Sequence, residues 1–138
     1  MKEMKRLIFA VFMMICSVSW AKWELIGEAG DNDEIHLVYV DKSTIRKNGV
    51  IAKIWILKDY SSMQTESTGD RYKSAKVLNA YNCREETSAL ISLIDYSGSE
   101  GEGNVTYSLA IQEKEWVWRP VAPGTSGEAK WKIACGKK

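Results

Sequence analysis

The chain has 138 residues, with 19 Lys and Arg side chains against 18 Asp and Glu side chains. Without residues 1–21, which have a separate role described next, 117 residues remain, with 16 basic and 17 acidic side chains and a net charge of −1. This length is typical of one domain. The balanced charge argues against a nucleic-acid-binding protein, which carries a marked basic excess on one face.

The start of the chain has the three-part layout of a cleavable secretory signal. Basic residues within positions 2–6 form its head, and an unbroken apolar run occupies positions 7–15. Ser19 and Ala21 place small residues three and one before the predicted cut. The sequence therefore predicts a signal peptide that ends at Ala21.

Two kinds of membrane attachment are the alternatives to cleavage. A spanning helix needs about 20 predominantly apolar residues, and Ser17 interrupts the run before that length. A lipoprotein signal has a small residue directly before its cysteine, whereas Ile15 precedes Cys16. We therefore expect residues 22–138 to be exported without a transmembrane segment or a lipid anchor, into the periplasm, the medium or the cell surface.

Cys83 and Cys135 are the two cysteines of the mature chain. Oxidising compartments favour paired cysteines, so the sequence predicts a disulfide between them, with two separate buried thiols as the alternative. The bond would close a long loop, worth about 4 kcal/mol in the chain-entropy model.

Most of the mature chain is predicted to form strands, since its apolar stretches are rich in β-branched and aromatic residues. Gly, Asn, Asp and Ser clusters separate these stretches. The predicted strands are Trp23–Gly27, Ile35–Val40, Val50–Leu57, Tyr72–Cys83, Thr87–Tyr96 and Trp116–Val121. Pro120 confines the last of these strands to an edge or a strand end, because proline has no backbone donor.

The segments between these strands have the composition of turns and loops. Residues 41–44 predict a short capped turn, and Asn48-Gly49 predicts a tight reversal. The polar residues 61–70 predict a mobile loop, and the glycine-rich residues 97–103 predict a flexible hairpin loop that does not pack.

The clearest alternation of apolar and polar residues runs from Val105 to Ile111. Val105, Tyr107, Leu109 and Ile111 occupy every second position. This spacing predicts a strand with one buried and one exposed face.

A short helix is predicted at the end of the chain, at Ser126–Cys135. Thr125 and Glu128 have the spacing of a capping box, and Trp131, Ala134 and Cys135 fall on one side of the helix. The predicted fold class is therefore α+β, mainly β, with an antiparallel sheet and one C-terminal helix. A small β-sandwich or barrel with an irregular tail is the alternative.

No catalytic or cofactor-binding constellation emerges from the sequence. His36 is the single histidine and has no partner of a triad or ligand set nearby in sequence. The glycines of residues 97–103 lack the helix and lysine that follow in a phosphate-binding motif. We therefore expect no enzyme activity, no metal and no cofactor.

Two groups of side chains are candidates for binding a partner. Five tryptophans remain in the mature chain, and they either pack in the core and over the sheet or form an exposed stacking face. A locally basic stretch either meets an acidic partner or is a solvated strand face. Its members are Arg71, Lys73, Lys76 and Arg84.

The order and spacing of several short motifs resemble the surface-adhesin protein E family of Gram-negative bacteria, over almost the whole mature chain. The matching segments are Trp23, Tyr39-Val40-Asp41, Thr44-Ile45, Gly49, Trp55-Ile56-Leu57-Lys58-Asp59-Tyr60, Tyr72-Lys73-Ser74, Tyr81-Asn82-Cys83, Trp116, Val121-Ala122-Pro123-Gly124-Thr125 and Cys135.

This resemblance implies a single twisted antiparallel sheet of about six strands with a helix packed on it, a disulfide of the Cys83–Cys135 kind, and a homodimer. It also implies an adhesin that binds host extracellular-matrix or serum proteins. The resulting hypothesis is an exported, non-enzymatic binding module that uses the sheet-face aromatics and the basic stretch. The alternative is a periplasmic, envelope-associated protein that binds a small ligand or has a structural role.

Overall fold

The computed structural model describes residues 21–138, so the predicted signal peptide lies almost wholly outside the described residues. Within residues 21–138, no helix is both long and apolar enough to cross a membrane. The elements in this range are β1 (Glu24–Ala29), β2 (His36–Asn48), β3 (Ile51–Thr65), β4 (Arg71–Asn82), β5 (Thr87–Tyr96), β6 (Val105–Ala110), β7 (Arg119–Pro120), the helix α1 (Ser126–Cys135) and the short 3₁₀ turns Asn32–Glu34, Ser99–Gly101 and Glu113–Glu115.

The strands form one curled antiparallel sheet in which β1 to β6 follow one another in chain order. The two-residue strand β7 pairs with the start of β5, where Thr87 lies opposite Pro120. Short hairpin connections bring consecutive strands together, and Gly49 makes the tightest of them with a φ of +60°. The predicted fold class and the tight reversal at Asn48-Gly49 are confirmed.

The main core lies between α1 and one face of the sheet, which we call the inner face. Alternating residues of β2 and β3 point to it, and Val40 lies opposite Ile56 in the β2–β3 register. The buried members of this core are Val38, Val40, Ala52, Ile54, Ile56, Val77, Tyr81, Trp131, Ala134 and Cys135.

The opposite side, which we call the outer face, has a smaller core beneath residues 97–103. The hydroxyl of Ser74, which is fully buried, donates to the Gly98 carbonyl at 2.6 Å and accepts from the Gly101 amide at 2.8 Å. Gly101 has a φ of +75°, and a Cβ there would lie 2.7 Å from Cε of Lys76. The prediction of a loop that does not pack was wrong, because Ser74 ties its backbone to β4.

The hairpin between β3 and β4 is longer than the sequence indicated. Residues 61–65 belong to β3, and a register shift between Asp59 and Gln64 lets the strand bend. The side chains of Ser62 and Gln64 donate to the Asp33 carbonyl at 2.9 Å and 2.6 Å. The predicted loop at 61–70 is therefore confined to residues 66–70, because backbone pairing with β4 does not require apolar side chains.

The predicted capped turn at residues 41–44 lies inside β2. The Asp41 carboxylate accepts from the Ser43 amide at 3.0 Å, and the Thr44 hydroxyl donates to the Asp41 carbonyl at 2.6 Å. These turn-like bonds form a bulge between Asp41 and Arg46 in the pairing with β3. The local chemistry was interpreted correctly, but the strand continues through it.

Two predictions for the last strands were wrong. On β6, Val105 and Leu109 are 57% and 38% exposed, so the apolar positions do not form a buried face. The strand lies at the edge of the sheet, beyond the area that α1 covers. Only Arg119–Pro120 of the predicted strand 116–121 pairs in the sheet, and Pro120 is at an edge as expected.

The helix α1 has the predicted bounds and caps. The Thr125 hydroxyl accepts from the Glu128 amide at 3.3 Å, which satisfies one of the free donors of the first turn. Gly136 ends the helix in the left-handed conformation. Trp131, Ala134 and Cys135 are buried against the sheet, as their spacing predicted.

Two bonds fix α1 to the end of β4. Cys83 and Cys135 form the predicted disulfide, with their Cα atoms 5.6 Å apart. The Trp131 indole donates to the Asn82 carbonyl at 3.0 Å. The same turn of the chain, at residues 82–83, thus holds the helix by a covalent bond and by a hydrogen bond.

Replacement of both Cys83 and Cys135 by alanine is expected to lower the free energy of unfolding by about 4 kcal/mol, because the unfolded chain loses its cross-link. Urea denaturation followed by tryptophan fluorescence measures the change. The unmutated protein in reductant is the matched control and should unfold at a similar urea concentration. A loss below about 1 kcal/mol would contradict the assigned contribution.

Candidate binding surface

The outer face carries an aromatic and cationic surface that α1 does not cover. Trp55 lies on β3, Lys76 on β4 and Ile94 on β5, and the register places Lys76 directly opposite Ile94. These residues and Trp23 line a shallow depression of about 270 Å³. With Tyr96 they form what we call the outer aromatic surface.

Lysine side chains lie over aromatic rings at two places on this side of the sheet. The ammonium of Lys76 is 5.0 Å from the ring centre of Tyr96, and that of Lys53 is 5.2 Å from the Trp116 ring. The rings of Trp116 and Trp118 meet edge to face with their centres 6.1 Å apart. Exposed cation–π contacts contribute about 0.5–1 kcal/mol each, so they orient the lysines without removing them from solvent.

The five mature tryptophans thus divide into two groups. Trp131 is buried under α1, as expected of a core residue. Trp23, Trp55 and Trp116 are half-buried, and Trp118 is 37% exposed. Aromatic side chains that remain accessible on a sheet face are the type of residue that anchors protein interfaces.

The four basic residues singled out in the sequence do not form one continuous patch. Arg71 is exposed at the start of β4, and Arg84 is exposed in the turn beyond its end. Lys73 and Lys76 point to opposite faces because strand side chains alternate. The Lys73 ammonium donates to the Tyr60 carbonyl, so Lys76 alone belongs to the outer aromatic surface.

The inner face contains an unexpected row of polar residues that crosses the sheet. Lys58 lies opposite Val38 on one side and Ala75 on the other, and Ala75 lies opposite Asp95. Lys58 and Asp95 therefore share a face two strands apart, with only a small side chain between them. Among the described residues, no ion pair forms between the two.

The Asp95 carboxyl is fully buried, and within residues 21–138 neither of its oxygens has a hydrogen-bond donor. Burial, together with the Glu66 carboxyl beside it, raises its pKa to about 8. Lys58 opposes this shift and Asp70 adds to it. Burial therefore favours the protonated form of the carboxyl, which weakens Asp95 as a counter-ion for Lys58.

Lys130 of α1 and His36 of β2 complete the polar region. Burial and the charge of Lys58 lower the pKa of Lys130 to about 8. Burial also lowers the pKa of His36, whose Nδ1 lies 2.8 Å from the Glu34 carbonyl. No group of three or more His, Cys, Asp or Glu side chains in residues 21–138 is arranged to hold a metal ion.

Comparison with known families identifies the chain. The model of the family described as surface-adhesin protein E matches residues 23–136. The chain belongs to the surface-adhesin protein E family. Membership in an adhesin family favours a non-enzymatic role and implies an exported or surface-exposed protein. Comparison with functionally characterised proteins finds no match.

Solved structures of adhesin protein E share the fold. The structure of Haemophilus influenzae protein E superposes with a TM-score of 0.56 at 14% identity, over 81% of this chain and 83% of the other. The crystal structure of protein E from non-typeable Haemophilus influenzae gives a TM-score of 0.51 at 14% identity, over 81% of this chain and 75% of the other. At this identity the likeness concerns the fold, a sheet with one helix.

Sequence analysis missed Lys58, Asp95 and Lys130. A detectable signal was present, because Lys58 and Asp95 each directly follow two apolar residues within a predicted or observed strand. A charge at such a position either points outward or lies in the core, and the side is decided by the register with the neighbouring strands. Lys130 is next to Trp131, so it also lies near the buried side of α1.

Asp95→Asn is expected to make the protein less sensitive to alkaline pH. Folding raises the pKa of this carboxyl from 3.8 to about 8. The stabilisation that results is complete at pH values below the unfolded-state pKa of 3.8, and it is lost as the pH rises towards the folded-state pKa of about 8. Relative to the unmutated protein, the variant should gain about 1–2 kcal/mol of unfolding free energy between about pH 6 and about pH 8, allowing for solvent screening.

Urea denaturation at several pH values measures this gain. The charged and titratable side chains that face Asp95 are present in both proteins, so the difference between variant and parent isolates Asp95. They are Glu66, Asp70, Lys58, Tyr60 and Tyr72. Asp31→Asn, at an exposed position, is the control, and its unfolding free energy should differ from that of the parent by the same amount at every pH. The same pH-independent difference for Asp95→Asn would contradict the raised pKa.

Proposed function

We propose that this protein is an exported, non-enzymatic module that captures host extracellular-matrix or serum proteins through the outer aromatic surface. The observation that carries the proposal is the sheet face itself, where half-exposed indole rings surround a lysine and the helix α1 does not cover them. Aromatic residues beside a cation suit a protein partner whose surface offers apolar groups flanked by carboxylates.

The individual side chains have different roles in this proposal. Trp23 and Trp55 provide rigid apolar area, which is the main source of affinity in a protein interface. Lys76 faces a carboxylate of the partner from the centre of the surface. Arg71, Lys73 and Arg84 lie away from this centre, and we assign them to long-range attraction of an acidic partner, which is screened by salt.

Export with removal of residues 1–21 is part of the same proposal. The Lys22 amide nitrogen lies 3.2 Å from a carboxylate oxygen of Asp41, whose side chain is buried. Cleavage after Ala21 would convert that nitrogen into an ammonium next to the carboxylate. The new terminus would then be held on the sheet by a charge-assisted hydrogen bond, and no lipid would tether the mature chain.

Trp55→Ala and Lys76→Gln are each expected to weaken capture of matrix or serum proteins about tenfold or more, which corresponds to about 1.4 kcal/mol. Biolayer interferometry of residues 22–138 against immobilised fibronectin, laminin and vitronectin measures the affinities. Raised salt should weaken binding of the unmutated protein more than binding of Lys76→Gln, because the variant has lost one attractive charge.

Lys138→Gln provides the matched control, since Lys138 is an exposed lysine that follows α1 and is not part of the outer aromatic surface. Thermal unfolding of each variant separates loss of binding from loss of fold. Equal affinities for the Lys76→Gln, Trp55→Ala and control variants would exclude the outer aromatic surface as the binding site. Triple replacement of Arg71, Lys73 and Arg84 by glutamine should mainly slow association.

We also propose that two copies form a homodimer through the outer edge of β6. This strand ends the sheet, and residues 105–110 contain no charge, proline or glycine. Natural sheets protect such edges with charged residues or proline, and Val105 and Leu109 are exposed here. Antiparallel pairing of two copies of β6 would satisfy both edges in one symmetric interface.

Leu109→Lys is expected to convert the dimer into a monomer, because it places a like charge on both sides of a two-fold interface. Analytical ultracentrifugation of the mature chain measures the state. Leu25→Lys is the control, since Leu25 is also an exposed leucine, at 54% against 38% for Leu109, and lies on the opposite edge strand β1. A monomeric unmutated protein, or a Leu109→Lys dimer, would refute this interface.

A further inference from the structure

A cleft lies between the inner face and residues 111–119, at the side of the sheet that α1 leaves open. Its volume is about 450 Å³, which is within the range of small-molecule sites. Val77 and Leu90 form its floor, and Ile111 and Val117 form its opposite wall. Val117 is 62% exposed, so the wall reaches the solvent.

One end of the cleft has a lysine that forms no ion pair within residues 21–138. Burial lowers the pKa of this lysine, Lys58, and the charge of Asp95 opposes the shift. Lys58 lines the cleft, and its ammonium makes no hydrogen bond or ion pair with any residue in the range 21–138. Burial raises the pKa of the nearby Asp95 carboxyl, which weakens it as a counter-ion, and Lys130 adds a second basic side chain from α1. The half-buried Lys58 ammonium loses part of its hydration without gaining an anionic partner, and the charges of Lys58 and Lys130 repel each other.

The other end of the cleft has a different electrostatic character. Arg119 pairs with Ser88 through the backbone, several residues along the sheet from Lys58. Glu115 lies on the same wall, and its carboxylate balances the guanidinium of Arg119 in net charge. The uncompensated charge is therefore at the Lys58 end, and the stretch between the two ends is mainly apolar.

We propose that this cleft binds a single-chain amphipathic carboxylate, with its carboxylate at Lys58 and its hydrocarbon chain along Val77, Leu90, Ile111 and Val117. The anion supplies the partner that the ammonium lacks, and the chain covers the exposed apolar walls. This site is on the opposite side of the sheet from the outer aromatic surface, so it adds a second activity to the proposed adhesive function and does not depend on it.

Other ligand classes fit the cleft less well. A neutral hydrocarbon would leave Lys58 without a partner and would remove more of the water around its ammonium. A sugar would leave the apolar walls unsatisfied. A nucleotide carries several negative charges, and the Glu115 carboxylate would repel them. One negative charge at one end of an apolar chain matches both features of the site.

Isothermal titration of the mature chain with dodecanoate, below its micelle concentration, tests the proposal. We expect saturable binding of dodecanoate, and at least tenfold weaker binding of dodecanol, which has the same chain without the charge. Lys58→Met keeps the apolar stem and removes the ammonium, so it should lower the dodecanoate affinity at least tenfold and leave the dodecanol affinity unchanged.

Lys53→Met is the matched control, because it removes a lysine from the same strand on the outer face and should bind dodecanoate as the unmutated protein does. Val117→Glu is a second variant, placed at the exposed rim so that folding is preserved, and its added charge should also weaken dodecanoate binding. No saturable binding, equal affinity for dodecanoate and dodecanol, or unchanged binding by both Lys58→Met and Val117→Glu would overturn the site.

Discussion

The bond between Cys83 and Cys135 decides how α1 lies on the sheet. It joins the last turn of the helix to the end of β4, and the Trp131 indole binds the carbonyl of the adjacent Asn82. Both constraints act at one turn of the chain, so the helix packs over β1 to β4 and does not reach β6. An exported domain of this size has a limited core, which makes the covalent constraint a large part of its stability.

The position of the helix gives the two faces of the sheet different properties. The inner face is buried where α1 covers it and opens into a cleft between β5 and residues 111–119. Residues 97–103 cover part of the outer face and leave Trp55 and Lys76 half-exposed. Two separate surfaces therefore follow from one attachment. They are the open aromatic face proposed to bind a protein and the confined cleft proposed to bind a smaller ligand.

The polar row at Lys58 is an exception to the pattern of the core. An apolar side chain at that position would pack between Val38 and Ala75 without electrostatic cost, whereas the half-buried ammonium loses part of its hydration and gains no acceptor within residues 21–138. Local rules of this kind are usually violated at functional sites. The raised pKa of Asp95, two strands away, makes it a weak counter-ion for Lys58, and the proposed carboxylate ligand would supply a stronger one.

The sequence by itself determined the elements whose evidence is local. Strand β5 and the helix α1 have the predicted bounds, because turn residues flank the first and Thr125 and Gly136 cap the second. The disulfide followed from having two cysteines in an exported chain.

The tertiary structure decided which faces are buried. The alternation of apolar and polar residues in β6 is that of a half-buried strand, but this strand lies beyond the area that the helix covers. It also placed Lys58 inside and Lys76 outside, since the side on which a strand residue lies depends on register with its neighbours, and these pairings join residues far apart in the chain.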